Sequence, residues 1–378
     1  MARVAVVHNT LDFQGGADVV CLTVCSALQR DHAVTLYTLS ETDPAALADR
    51  FGVDIDHEAL TVRMPPFAGA IAGALSSFAP LAGPQLALRS VLLGRYFARD
   101  ASDFDLAVST ANELAFPIPS VQYVHYPQFH THRLTHSDPE DASDGVGARI
   151  LSRVAGPEDE ALAAPTTTLV ANSAWTAGVV DRLYGVKPAV LHPPVDPIEG
   201  GRDWADREPG VVVVGRLAPD KRILDAIRVV DRVRARDHDI HLHIVGGAPR
   251  AYRQYVSRVE TAATERSYVS VEVDVPRSRL EMLLRTHRYG LNLKPREHFG
   301  MAVAEYVAAR MVAFAPDSGG QREILDERTD RLFESIDEAV DLLSAAIEAD
   351  GRPTLPRDRF ASRRFRESVR RIVNRAVA

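Results

Sequence analysis

Two glutamates eight positions apart bracket a glycine in Glu297-His298-Phe299-Gly300-Met301-Ala302-Val303-Ala304-Glu305. The stretch follows the apolar run Leu291–Leu293 and reads as a strand end, a turn and a helix start. At 1.5 Å per residue, the second carboxylate lies about 12 Å further on, two turns down the helix. Gly300 lets a ligand approach the backbone. The helix start offers unpaired N–H groups and a positive dipole end to an anion. One carboxylate would bind hydroxyls beside a phosphate and the other hydroxyls further along, which suits a nucleotide-sugar. A solvated glutamate pair flanking a core helix is the plainer alternative.

Gly215-Arg216-Leu217-Ala218-Pro219-Asp220-Lys221 follows the run Val211–Val214. A glycine at a strand end frees a turn. The Arg216 fork can grip two phosphate oxygens, and Lys221 adds a point charge. The chain has only three lysines, Lys187, Lys221 and Lys294, so one here stands out. Together with the glutamate motif, the segment reads as a diphosphate clamp. In Phe13-Gln14-Gly15-Gly16-Ala17-Asp18, paired glycines opening a helix can cradle a phosphate or a sugar, although a tight turn would need glycine too. The G-x-G-x-x-G dinucleotide spacing is missing. In Val121-Gln122-Tyr123-Val124-His125-Tyr126-Pro127, His125 stands at a strand's carboxyl end, where it could bond a sugar hydroxyl or assist a proton. His130, His132 and His136 follow without a clear carboxylate or cysteine to complete a metal site.

These motifs need strand ends to carry them. Strands are expected at Val4–Val7, Val34–Leu39, Leu106–Ser109, Val121–Val124 and Thr168–Ala171. A second series comprises Val211–Val214, Ile240–Val245, Val269–Val273, Leu291–Leu293 and Val312–Ala315. Amphipathic segments between them predict an α/β fold of two Rossmann-like, doubly wound domains facing a central cleft. The boundary falls at His192-Pro193-Pro194-Val195-Asp196-Pro197, giving domains 1–195 and 196–357. In the segment 358–378, Phe365, Val369, Ile372, Val373 and Ala376 recur at helical spacing among arginines. The plain reading is a terminal helix docked on one domain, and the sharper one a basic helix touching anionic lipid. Met64–Leu88 carries no charge and four prolines, so it reads as a buried helical pair or a membrane-surface segment rather than a span.

Strand–Gly-Arg-Leu-x-x-x-Lys followed by Glu-x-Phe-Gly-x-x-x-x-Glu resembles the family-4 retaining glycosyltransferases of the GT-B fold. The resemblance takes in Gly15-Gly16, His125, Asn172-Ser173, Gly215–Lys221, Glu297–Glu305 and Ser318-Gly319-Gly320. Tyr123–Pro127, Asn172–Thr176 and Pro193–Asp196 are similar to one branch, the α-1,2-mannosyltransferases that extend lipid-linked oligosaccharides from GDP-mannose. The resemblance implies that Arg216 and Lys221 bind the donor diphosphate, Glu305 holds the ribose, and Glu297 contacts the donor sugar. His298, Phe299, Gly300 and Met301 would complete the donor site, and His125 would touch the transferred sugar. Gly16 would lie against donor phosphate and acceptor, with Gly15 and Tyr126 on the acceptor side. It further implies that the helix in 358–378 returns to the N-terminal, acceptor-binding domain, leaving 196–357 as the donor-binding domain. Two positions depart from the pattern: Asp18 stands where a glutamate is usual, and Val195 where the branch has cysteine.

The function expected is retaining transfer of a hexose, with mannose indicated, from a nucleotide-diphosphate sugar (GDP- or UDP-linked) to a glycan or lipid-linked acceptor. No cofactor or metal is expected. The alternatives are a glycosyltransferase acting on a soluble acceptor with a UDP-sugar, or a non-catalytic nucleotide-sugar-binding protein. A phosphorylase would need a cofactor lysine, and lysines are few. Composition agrees: 378 residues, 46% apolar and 25% charged, describe a folded chain rather than a disordered one. A net charge of -7 argues against a nucleic-acid partner. Cys21 and Cys25, four apart in an expected helix, read as buried core residues. The N-terminus runs straight into a strand, so the expected location is cytoplasmic, with peripheral contact to a membrane face.

Overall fold

The computed structural model describes residues 1–66, 68–69, 86–134 and 146–378. Most of the uncharged stretch 64–88, and His136, lie outside the described residues. The chain divides into a unit of Met1–Pro194 with Ser362–Ala378 and a unit of Val195–Ala361.

The first unit's sheet consists of β1 (Arg3–Val7), β2 (Ala33–Tyr37), β3 (Thr61–Arg63), β4 (Leu106–Ser109), β5 (Ser120–Val124), β6 (Thr167–Ala171) and β7 (Ala189–Val190). All pairings are parallel, in the order β3-β2-β1-β4-β5-β6-β7. The second unit's sheet consists of β8 (Glu208–Val214), β9 (His241–Gly246), β10 (Val269–Val273), β11 (His287–Leu291), β12 (Val312–Pro316) and β13 (Leu332–Phe333). It is also parallel, in the order β10-β9-β8-β11-β12-β13. Each sheet therefore reverses its winding once, between β1 and β4 and between β8 and β11. Ligands of doubly wound sheets bind outside the carboxyl ends of the strands at such a point.

Alternation along the central strands explains why both faces are covered. Val211 and Val213 enter one buried cluster of the second unit with Ile227 and Val230, while Val212 enters the other with Tyr306 and Val303. In the first unit, Val4 and Val6 pack with Val20 and Val24 of the helix Gly16–Leu28, and Ala5 and Val7 pack with Phe97. Strands buried on both sides read as the near-continuous aliphatic runs seen in the sequence.

Three short strands, β3, β7 and β13, escape the sequence pattern because two or three residues show no periodicity. The run expected at Leu291–Leu293 is a strand four residues earlier, His287–Leu291. Its first four residues, His-Arg-Tyr-Gly, carry no aliphatic signal, while Asn292 and Leu293 already belong to the loop beyond. The return helix runs Ser362–Val377, and Phe365, Val369 and Val373 join the cluster around the helix Gly16–Leu28. Arg370 grips Asp31 with two nitrogens at 2.7 and 2.9 Å, and His32 Nε2 meets Asn374 Oδ1 at 2.8 Å. The segment before it, expected with this helix, instead belongs to the second unit. There the Phe360 carbonyl accepts from Val195 N at 2.7 Å and its ring meets Phe299 edge-on at 5.3 Å. Cys21 and Cys25 are free thiols in the core. No helix among the described residues is long and apolar enough to cross a membrane.

Candidate active site

In the second unit, the ends of β8 and β11 carry the predicted clamp. Gly215 donates its N–H to the Val245 carbonyl at 3.0 Å. The ends of β8 and β9 meet so closely that a Cβ at Gly246 would stand 1.8 Å from the Gly215 oxygen. The Lys221 stem lies along Gly215, 3.5 Å from where a Cβ would sit there, and its ammonium pairs with Glu297 Oε1. Lys294 Nζ donates to Asp220 Oδ2 at 3.1 Å, and Arg216 reaches the same oxygen at 3.6 Å. Three cations and two carboxylates thus share one strand edge. Burial pushes the Asp220 carboxyl up, but the charges of Lys294, Arg216 and Lys221 outweigh it and hold the group below its usual range. Burial acts likewise on Glu297, and Lys221 and Lys294 again prevail. His298 goes the other way: burial, with the Lys294 charge, takes it down to about 4. At neutral pH the ring is an uncharged hydrogen-bonding group.

The loop that presents Glu297 is fixed from below. Gly319, at φ 76°, comes so near that a Cβ would stand 2.4 Å from the Glu297 carbonyl oxygen. Gly320 N donates to that oxygen at 2.8 Å, and Arg296 N donates to Ser318 Oγ at 3.0 Å. Gln321, fully buried, donates to the Lys294 and Pro316 carbonyls and accepts from Asn292 at 2.6 Å. Gly300 stands at φ 111° just before the helix Met301–Ala308, a conformation L side chains rarely adopt. Phe299 is buried beneath the loop. Glu305, on the second turn, pairs with Arg277, which also bonds Glu281 at 3.0 Å. The Glu305 carboxylate holds the Arg277 guanidinium above its usual range.

In the first unit, Gly15 caps the helix Gly16–Leu28, and Asp18 closes the box by accepting from Gly15 N at 2.9 Å. The other Asp18 oxygen meets His8 Nε2 at 2.9 Å, and His8 Nδ1 bonds Thr110 Oγ1 at 3.0 Å. The aspartate that departs from the resembled pattern therefore ties the glycine loop to the ends of β1 and β4. His125 and Tyr126 follow β5. Asn112 Oδ1 accepts from both their N–H groups at 2.6 and 3.0 Å, and Asn172 Nδ2 donates to the His125 carbonyl at 3.0 Å. Tyr123 meets the His125 ring edge-on, and Trp175 stacks on Tyr126 at 5.9 Å. His130 Nε2 bonds the Pro157 carbonyl at 3.3 Å, a loop-fixing contact.

Glu113 continues this support. One oxygen accepts from Gln128 N at 2.7 Å, Phe129 N at 2.9 Å and Tyr184 Oη at 2.9 Å, while the other is buried without a hydrogen bond. Burial pushes the carboxyl up to about 7, against the opposing pull of these donors. The folded chain therefore binds a proton that the unfolded chain lacks between the ordinary carboxylate range and pH 7, so stability falls as pH rises through that window. Above it, the loss is on the order of 3 kcal/mol. Glu113→Gln is expected to flatten this slope, leaving stability near pH 5 almost unchanged and raising it at pH 8. Denaturant midpoints of both chains at the two pH values check this. A slope that persists in the variant refutes it.

The structure thus gathers Arg216, Lys221, Glu297, His298, Phe299, Gly300, Met301 and Glu305 at one edge of the second unit, and Gly15, Gly16, His125 and Tyr126 at the carboxyl edge of the first. Sequence reasoning passed over Lys294, Asp220, Arg277, Gln321, Asn112 and Glu113. Lys294 had a signal, as one of three lysines and three residues before Glu297. Arg277 and Asn112 had none, because their partners are distant in sequence.

Residues 198–350 match the family model of Glycosyl transferases group 1. The second unit carries a glycosyltransferase group 1 domain. That domain contains the whole Arg216–Glu305 constellation. Curated relatives named GDP-Man:Man(3)GlcNAc(2)-PP-Dol alpha-1,2-mannosyltransferase are similar at low identity. The Eremothecium gossypii protein is 26% identical over 164 residues, covering 40% of this chain and 28% of that protein. The Neurospora crassa protein is 24% identical over 299 residues, 68% of this chain and 50% of that one. The chain spans half or less of the length of these relatives. Among solved structures, Anabaena HepE in complex with UDP and glucose superposes with a TM-score of 0.68 at 14% identity, covering 99% of this chain and all of that one. WaaG, a glycosyltransferase involved in lipopolysaccharide biosynthesis, gives 0.66 at 14% identity, covering 98% and 95%. The glycosyltransferase domain and its companion thus have the GT-B fold class, two parallel-sheet Rossmann-like domains.

Proposed function

We propose that the chain transfers a hexosyl group from a nucleotide-diphosphate sugar to a hydroxyl of a glycan or lipid-linked acceptor, with retention of configuration. The observation that carries this is the convergence of Arg216, Lys221 and Lys294 with Glu297 at the winding reversal of the second sheet, beside the helix start at Met301. Departure of the diphosphate leaves charge on its oxygens. The arginine fork, the ammonium group and the helix N–H groups stabilise that charge where it develops. Glu297, kept ionised by Lys221, is placed to accept from sugar hydroxyls, and Glu305, held by Arg277, from ribose hydroxyls. His125 and Tyr126, on their backbone cradle, serve the transferred sugar and the acceptor in the first unit. No carboxylate forms a covalent sugar intermediate; the acceptor enters from the leaving-group side, assisted by the departing phosphate. The cations take the place of a divalent ion at the diphosphate.

Mannose carried on GDP is the donor favoured by the relatives' names, and UDP-sugars are the alternative favoured by the UDP complex of HepE. A thermal-shift panel with GDP, UDP, GDP-mannose and UDP-glucose separates them, since a ligand at 100 times its Kd stabilises by about 2.7 kcal/mol. A guanine-selective shift is expected, together with slow hydrolysis of GDP-mannose that persists in EDTA. A uracil-selective shift discards the mannosyl reading. Binding without turnover makes the chain a nucleotide-sugar-binding protein. A full loss of turnover in EDTA that magnesium reverses refutes the metal-free clamp.

A further inference from the structure

At the opposite, amino end of the second sheet, three histidines from two distant stretches come together. His241 and His243 lie two apart on β9, on one face, and His287 opens β11. One ring nitrogen of each lies within 4.8 Å of the others. Between those strands runs β8, where Gly210 is paired in register with His241. A Cβ at Gly210 would stand 2.4 Å from His241 Nε2 and 2.6 Å from His287 Cδ2, so the two rings close over bare backbone. Glu208, two residues earlier on the same face, puts Oε2 3.6 Å from both Nε2 atoms, which are 3.0 Å apart. For a tetrahedral ion with bonds of 2.0–2.2 Å, ligand atoms stand about 3.3–3.6 Å apart; the two Glu208 separations match that spacing and the Nε2 pair is slightly closer.

The outer contacts are those of a ligand set. His287 Nδ1 donates to the Leu283 carbonyl at 2.8 Å, which leaves Nε2 as the lone-pair nitrogen aimed into the cluster. His243 Nδ1 lies 3.4 Å from Glu272, and Arg279 holds that carboxylate with two nitrogens at 2.6 and 2.8 Å. His287 is 3% exposed, His243 17%, His241 31% and Glu208 45%, so the cluster runs from a buried ring to a solvent-accessible carboxylate.

We propose that His241, His243, His287 and Glu208 form a binding site for a first-row divalent ion of the zinc class. Three imidazoles and a carboxylate suit zinc, whereas magnesium and calcium prefer oxygen ligands. The ion takes both Nε2 lone pairs, and the proton His241 shares with His287 moves to the other nitrogen of the His241 ring. With four protein ligands the site is structural. It pins the amino ends of β8, β9 and β11, about 17 Å along β8 from the Gly215 turn.

The test uses the untagged full chain in a non-coordinating buffer, with zinc titrated in competition with a chromophoric chelator. One equivalent is expected to bind, with at least tenfold weakening, roughly, in His241→Ala and in Gly210→Ala. The second variant removes no ligand and fills the floor of the cluster. Far-UV circular dichroism confirms that both are folded, and cobalt should give the visible bands of a tetrahedral site in the wild type alone. No stoichiometric uptake, or equal uptake by wild type and both variants, overturns the proposal. Magnesium reversal of a lost transfer activity would bear on the diphosphate clamp and leaves this readout untouched.

Discussion

Lys221→Ala should lower the transfer rate by about two to three orders of magnitude, the loss seen when one donor to a developing oxyanion is removed. The ammonium pairs with Glu297 and lies in the turn after β8, so in the proposed reaction it would serve both the leaving diphosphate and the carboxylate that meets the sugar. Its removal also leaves Glu297, 17% exposed, without its nearest cation. The two effects separate by pH and by a double variant. Glu297 is held below its usual range in the folded chain, so the pair stabilises above that range, and this contribution is lost as pH falls through the lowered value. In Lys221→Ala this contribution shrinks, because Lys294 alone is left to offset the burial of the carboxylate. Adding Glu297→Gln removes the orphaned charge and should restore stability but not turnover. Single-turnover rates and denaturant midpoints of the single and double variants decide the matter. A double variant working at the wild-type rate would reduce the pair to scaffolding.

Gly319→Ala is the second large effect, and it acts through backbone. At φ 76° an alanine is strained by about 1 kcal/mol. Its Cβ would also stand 2.4 Å from the Glu297 oxygen and 2.7 Å from the Arg296 carbonyl carbon, atoms that cannot swing aside. Overpacking of this kind costs about 1–3 kcal/mol more. Because the loop must move, Glu297 moves with it, and turnover should fall at least tenfold, roughly, by misplacement alone. Gly200→Ala is the control: it sits at φ 73° with nothing within 4 Å of the added carbon, so only the strain remains. Equal midpoints and equal rates in the two variants would refute the account.

Two parallel sheets were legible because central strands buried on both faces must be aliphatic runs, as at Val211–Val214. The glycines after β8 and before the helix at Met301 were legible because a glycine at such a turn marks a close approach or a left-handed backbone, as at Gly215 beside the Lys221 stem and Gly300 at φ 111°. What was hidden has two causes. Two- and three-residue strands show no period, and His287-Arg288-Tyr289-Gly290 looks like a loop until Tyr306 is seen packed on Gly290, within 2.2 Å of where a Cβ would sit. The partners Lys294–Asp220, Arg277–Glu305 and Asn112–His125 are made by tertiary proximity, which one sequence does not print. Asp18 looked like a departure from a pattern; only its contacts to Gly15 N and His8 show what the shorter acid reaches.

The return of the helix Ser362–Val377 to the first unit has a consequence for the order of assembly. As the chain is synthesised, the second unit is complete once Ala361 has emerged, because its residues are contiguous. The first unit began earlier but must wait. Until Phe365, Val369 and Val373 arrive, their places beside the helix Gly16–Leu28 are unfilled, and closing a contact across more than 300 residues is entropically slow. The half that starts first therefore finishes last, with its apolar flank uncovered until the helix Ser362–Val377 has emerged.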